Sequence, residues 1–145
     1  MKQAFIADTG GLLRGLAKNA KGEPAWPEFA EALKRASAII VPSLVLAEVD
    51  YFLRAERSAM RRFLLELFDP QTTYEYEPIT PGDMLRAMQF DAKFSKLELG
   101  LVDGVVAAVA ERRGVYRVLT SDRRDFGAIR VGPRFQRPLT LLPPD

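Results

Sequence analysis

The chain has 145 residues, 48% of them apolar and 28% charged, with a formal charge of +2 and neither Cys nor His. That length suits one domain with a substantial core, and the composition excludes a disordered chain. Without Cys or His there is no disulfide scaffold, thiolate nucleophile, His general base or Cys/His metal site. Any bound metal must be held by oxygen, which favours Mg2+ or Mn2+.

No apolar run reaches the roughly 20 residues that span a membrane. The start, MKQAFIADTG, lacks the long apolar core of a signal peptide, so the expected location is the cytoplasm. Charge is uneven: Arg112 to Asp145 holds eight Arg against three Asp, a net +5, which leaves −3 on the first 111 residues. A basic end on an acidic body suits an anionic partner, and equally a solvated Arg-rich surface.

In chain order, Gln3 to Asp8 reads as a strand running into an Asp-Thr-Gly-Gly turn. Trp26 to Ala36 has helical spacing, and Ala38 to Val41 suits a strand buried on both faces. Ser43 stands where a cap belongs, ahead of a helix from Leu44 to Glu56. A further helix is expected over Ser58 to Phe68, and an alternating strand over Thr72 to Ile79. Thr80-Pro81-Gly82-Asp83 has the form of a capping box opening a helix to about Phe94. Leu101 to Arg113 is a helix closed by Gly114. Val115 to Thr120 is a strand, Asp125 caps a short turn around Phe126, and Pro138 to Leu142 is a last edge strand. The alternation predicts a three-layer α/β/α sandwich with a mainly parallel sheet, residues 1–145 forming one domain.

Four carboxylates interrupt apolar stretches. Asp8 and Asp122 end predicted parallel strands, where open α/β sheets bind ligands; a turn Asp bonding its own backbone is the plainer reading of each. Glu48 lies on the stripe Leu44, Val45, Val49 and Phe52, either as a buried site acid or, more plainly, paired with an Arg or at an exposed stripe edge. Asp103 sits in the first turn of a helix apolar nearly all round, as a site acid or a cap. Right-handed connections can bring these places to one edge of the sheet, and three or four converging carboxylates repel unless a cation sits between them.

The pieces Phe5-Ile6-Ala7-Asp8-Thr9-Gly10, Val41-Pro42-Ser43 through Ala47-Glu48, Leu101-Val102-Asp103-Gly104 through Ala107-Ala108, and Leu119-Thr120-Ser121-Asp122-Arg123-Arg124-Asp125-Phe126 together resemble the PIN domain family. Within it they resemble the VapC-type toxins of toxin–antitoxin pairs. The resemblance implies a PIN-like fold and a metal-dependent endoribonuclease with Asp8, Glu48, Asp103 and Asp122 as catalytic, metal-binding acids. It implies supporting hydroxyls at Thr9, Thr120 and Ser121, with Mg2+ or Mn2+ as cofactor. Arg123 and Arg124, beside the expected site, are expected to hold RNA phosphates; the plainer reading is an exposed, solvated pair. A homodimer and an antitoxin seated in the site groove are implied as partners. Gly10 and Gly104 stand where members more often carry Ser and Ala, and a loosened backbone is expected there.

Other readings have weaker support. An aspartic protease shares Asp-Thr-Gly but needs an all-β fold and a second such Asp, which only a dimer would supply. A receiver domain needs a late Lys, and none follows Lys96. A PIN-like interaction module would bind metal without cutting nucleic acid.

Overall fold

The computed structural model describes residues 3–145; Met1 and Lys2, where the reading of the leader begins, lie outside the described residues. Five parallel strands form the central sheet: β1 (Gln3–Ala7), β2 (Ala36–Pro42), β3 (Tyr74–Glu77), β4 (Arg117–Leu119) and a C-terminal strand (Thr140–Leu142). Two short segments, β5 (Arg130–Val131) and β6 (Arg137–Pro138), form a separate antiparallel ribbon, which makes the C-terminal strand β7. Sheet order is β3-β2-β1-β4-β7. The expected edge strand is therefore present, but Pro138 belongs to the ribbon rather than to it.

The helices are α1 (Thr9–Leu16), α2 (Pro27–Arg35), α3 (Ser43–Phe52), α4 (Arg57–Leu67), α5 (Pro81–Lys93), α6 (Leu101–Arg113) and α7 (Arg123–Ala128). From β1 the chain steps through β2 to β3 at one edge, then crosses back to β4 and β7. With crossovers of the usual right hand, α1–α4 cover one face and α5–α7 the other. The packing agrees: α1 lies against α2 and α3, while α5 lies along α6. The direction of winding reverses between β1 and β4, which opens a crevice at their carboxyl ends.

Several ends differ from expectation. The Asp-Thr-Gly-Gly segment is the start of α1 rather than a turn, because Gly11 lets the helix lie on the sheet: a Cβ there would sit 2.2 Å from the Leu119 carbonyl oxygen. Pro42, not Ser43, occupies the cap position of α3; the Ser43 hydroxyl instead accepts the Ile79 N–H at 3.1 Å. The Thr80–Asp83 capping box is present as read, and Gly114 closes α6 in the left-handed region at φ 65°.

Helix α6 is central. Residues 104–110 are all buried, and the helix packs on β1 and β2. Its contact with α5 is too close for a side chain at Gly104, whose Cβ would stand 2.7 Å from Ala87 Cβ and 3.0 Å from Ala87 Cα. Gly10 is less confined: a Cβ there would meet the Ser121 hydroxyl, which can rotate, and then Ser121 Cβ at 3.1 Å. Gly104 is thus demanded by close packing, and Gly10 leaves room for the Ser121 side chain. Overpacking costs about 1–3 kcal/mol, against roughly 1 kcal/mol of helix propensity gained by Ala over Gly. Gly104→Ala is therefore expected to lower the urea midpoint, with an unchanged m-value.

Candidate functional site

The pocket forms where four chain segments end or begin at the β1/β4 crevice. Asp8 follows β1 and is 5% exposed. It precedes α1, yet its side chain does not cap that helix. Instead its Oδ2 accepts the Thr120 hydroxyl at 2.9 Å. Thr120, fully buried after β4, also accepts the Asp122 N–H at 2.9 Å, so one hydroxyl ties Asp8 to the backbone of Asp122. Glu48 is half-buried on α3, and its Oε1 accepts the Thr9 hydroxyl at 2.6 Å. The partner of Glu48 is thus a hydroxyl and not an Arg. Ser121 makes no side-chain hydrogen bond among the described residues; it fills the space over Gly10.

Asp103 lies in the first turn of α6. Its carboxylate, with those of Asp122 and Asp125, offers oxygens that all lie within 4.8 Å of one another. Here the structure corrects one reading. Asp122 caps α7 by accepting the Asp125 N–H at 3.1 Å, whereas Asp125 sends its carboxylate into the acid group. Sequence reasoning missed Asp125 as a site acid; the signal was its spacing of three from Asp122, a capping pattern in which the second acid shares the first one's side of the helix.

The titration of these groups reports their crowding. Burial, with Glu48 and Asp122 nearby, pushes Asp8 up to about 6, despite hydrogen bonds from Thr120 and the Thr9 N–H that pull it down. Burial and the charges of Asp8, Asp122, Glu48 and Asp125 push Asp103 up to about 7. Asp125 is also raised, by desolvation and by Asp122. Elsewhere a buried acid behaves oppositely. Burial raises Asp83, but the guanidinium of Arg112, at 2.9 Å from both its oxygens, and the Thr80 N–H outweigh it and leave Asp83 below the usual range. Among the described residues no Lys or Arg forms an ion pair with Asp8, Glu48, Asp103, Asp122 or Asp125. This set fits a hard divalent cation: oxygen donors only, mutually repelling, with no paired cation and only the nearby charge of Arg124 acting on Asp125.

Arg123 and Arg124 stand in the first turn of α7, next to Asp122. Arg123 is engaged with the C-terminal segment, its Nη1 donating to the Pro143 carbonyl at 2.7 Å and its Nε 3.1 Å from Asp145. Arg124 is exposed and makes no hydrogen bond or ion pair among the described residues.

The family model for the PIN domain matches residues 6–131. Three solved structures share the fold at 17% identity. VapC20 from Mycobacterium tuberculosis, described as a sarcin–ricin-loop-cleaving toxin, aligns with a TM-score of 0.68 over 83% of this chain and 92% of its own. A toxin–antitoxin complex from Klebsiella pneumoniae contributes a chain at 0.67, covering 86% and 92%. VapBC2 from Rickettsia felis, bound to a DNA fragment from its promoter, gives 0.64 over 95% and 96%. No curated protein matches the chain.

An acid whose folded pKa is raised holds its proton more tightly folded than unfolded. The stability this confers is complete below about pH 4 and is lost as pH rises through the values of Asp8 and Asp103, near 6 and 7. In EDTA, the melting temperature is expected to fall between pH 5 and pH 8. Asp103→Asn is expected to flatten that fall and to raise the melting temperature at pH 8, at about 3 °C per kcal/mol for a chain this size. A profile unchanged by the substitution would show that Asp103 is not charged against its neighbours. Because metal binding needs the deprotonated acids, the shift in melting temperature produced by Mn2+ should grow across the same pH range.

Proposed function

The chain belongs to the PIN domain family, and on that premise we propose that it is a Mg2+- or Mn2+-dependent endoribonuclease, the toxin of a VapBC-type toxin–antitoxin pair, acting as one domain in the cytoplasm. The observation that carries the reading is the acid pocket at the β1/β4 crevice, crowded and without a cation of its own. The toxin assignment draws on the structural neighbours, one described as an RNA-cleaving toxin and two as parts of toxin–antitoxin assemblies. No helix is long and apolar enough to cross a membrane among the described residues.

In this reading Asp8 and Asp103 are the primary metal ligands, with Asp122 and Asp125 completing the set from the start of α7. A bound divalent ion would neutralise charge on the scissile phosphate and acidify the attacking water. The chain's own groups set the geometry. Thr120 and the Thr9 N–H fix the Asp8 carboxylate at the end of β1. Thr9 holds one oxygen of Glu48, leaving the other to bind metal or to take a proton from the nucleophilic water. The basic C-terminal third supplies the field that draws an RNA backbone toward the pocket.

Large apolar side chains left in solvent support the partners. Phe52, Leu65 and Phe68 on the α3–α4 side, and Leu85 and Met88 on α5, are 45–75% exposed. We assign such surface to a second copy of the chain and to an antitoxin whose segment lies along the site groove.

The test is cleavage of a mixed structured RNA by purified protein. Cutting is expected with Mg2+ or Mn2+ and none in EDTA. Asp8→Asn and Asp103→Asn should each lose at least about 100-fold in rate, or about 2.7 kcal/mol of barrier stabilisation. Thr120→Val leaves the Asp122 N–H and Asp8 Oδ2 without a partner; it should cost about 1–3 kcal/mol of stability in urea and also slow cutting. Cutting that persists in EDTA or in both Asn variants would overturn the reading. Metal binding without cutting of any RNA would favour the interaction module.

A further inference from the structure

The two arginines that follow Asp122 are adjacent in sequence but differ in what they touch. Arg124 is exposed and makes no hydrogen bond or ion pair among the described residues, though its charge acts on Asp125. Arg123 reaches back to the segment after β7, where Nη1 donates to the Pro143 carbonyl at 2.7 Å and Nε lies 3.1 Å from Asp145 Oδ1. That segment is itself fixed to the site strand, since β7 pairs with β4 and the Thr120 N–H donates to the Leu142 carbonyl at 3.1 Å. A closed loop results: β4, Thr120, Asp122, Arg123, Pro143 and back through β7 to β4.

We infer that the two arginines divide their work: Arg123 is a positioning residue that braces the start of α7, and with it the Asp122 and Asp125 carboxylates, against the C-terminal segment, while Arg124 is the cation that meets an RNA phosphate. This rests on the metal-pocket reading above. Two features of the geometry support it. The first turn of α7 carries both acids of the group contributed by that helix, and it is held on its inner side by Phe126 and Ile129, both fully buried. On its outer side the Arg123 contact with Pro143 ties that turn to the C-terminal segment, in addition to the Thr120 hydroxyl that accepts the Asp122 N–H. An Arg is suited to the task, because its planar fork can serve the carbonyl and the carboxylate at once. The Asp145 arm is minor, since Asp145 is 89% exposed and such pairs contribute little; the carbonyl arm carries the brace.

The consequence is a double dissociation between metal and RNA affinity. Mn2+ binding is measured by calorimetry without RNA. RNA binding is measured in EDTA with a fluorescein-labelled, mixed-sequence 20-nucleotide single strand over a series of salt concentrations. Arg123→Ala is expected to weaken Mn2+ binding about 10-fold, as loss of an outer partner of metal ligands does. It should leave the salt dependence of RNA binding unchanged. Arg124→Ala removes a cation that acts on Asp125, so it should not weaken Mn2+ binding, and it should reduce the slope of log affinity against log salt by about 0.7, the value for one phosphate contact on a single strand. Arg123→Lys, which keeps a donor for the Pro143 carbonyl, should recover most of the Mn2+ affinity, and Asp145→Asn should lose little.

Should Arg123→Ala bind Mn2+ as the wild type does, or lower the salt slope while metal binding holds, the brace is refuted and the pocket reading stands. Wild type that binds no Mn2+ refutes both. Failure of Arg123→Lys to recover affinity would refute the carbonyl tie. Melting temperatures of all variants in EDTA identify any loss due to unfolding, and the buried Phe126 and Ile129 are expected to keep Arg123→Ala folded.

Discussion

Repulsion among carboxylates with no cation of their own is the constraint to which this structure answers. Asp8, Glu48, Asp103, Asp122 and Asp125 come from four segments of the chain and meet at one crevice. Four of them are held there by something other than a counter-charge, and Asp125 has only the nearby charge of Arg124. Thr120 holds Asp8, Thr9 holds Glu48, and helix starts hold Asp103 and Asp122. Asp83 shows the alternative within the same molecule: it is buried too, but Arg112 neutralises it and it titrates below the usual range. The fold spends an arginine where it wants an acid settled and withholds one where it wants an acid available.

The scaffold makes that arrangement possible by reversing its winding between β1 and β4. Neighbouring strands then send their chains to opposite faces, and the space between their carboxyl ends stays open. Around it, glycines allow close approach. Gly11 lets α1 lie against the Leu119 carbonyl, Gly10 makes room for Ser121, and Gly104 lets α6 press on α5. A buried α6 then delivers Asp103 to the crevice from behind the sheet.

Much of this was legible beforehand. The continuous apolar runs of β1 and β2, the capping box at Thr80 and the Arg-Arg-Gly end of α6 are local signals, and local signals read well. Asp8, Glu48, Asp103 and Asp122 stood out because each broke an apolar pattern. What escaped was decided by tertiary contact. The start of α1 looked like a turn, since two adjacent glycines favour one unless a neighbouring strand needs their lack of side chains. Ser43 looked like a cap until Ile79 claimed its hydroxyl. Asp125 was missed because it shares the capping spacing with Asp122: Asp122 both caps α7 and joins the acid group, and only the position of Asp103 shows that Asp125 joins it too. Nothing in the local sequence separates Arg123 from Arg124, because the contact that does so lies 20 residues away.

The hydroxyl bond from Thr120 to Asp8 spans 112 residues, and the β1–β4 pairing beneath it spans a similar length. Contacts so distant in sequence come late in folding, after the loop entropy of the intervening chain has been overcome. On a growing nascent chain the first strand and its acid are made early, yet they wait for β4 before the crevice has a second wall. The pocket is thus inert by construction until β4 has been made, and its assembly waits on the strand that brings Thr120 to Asp8.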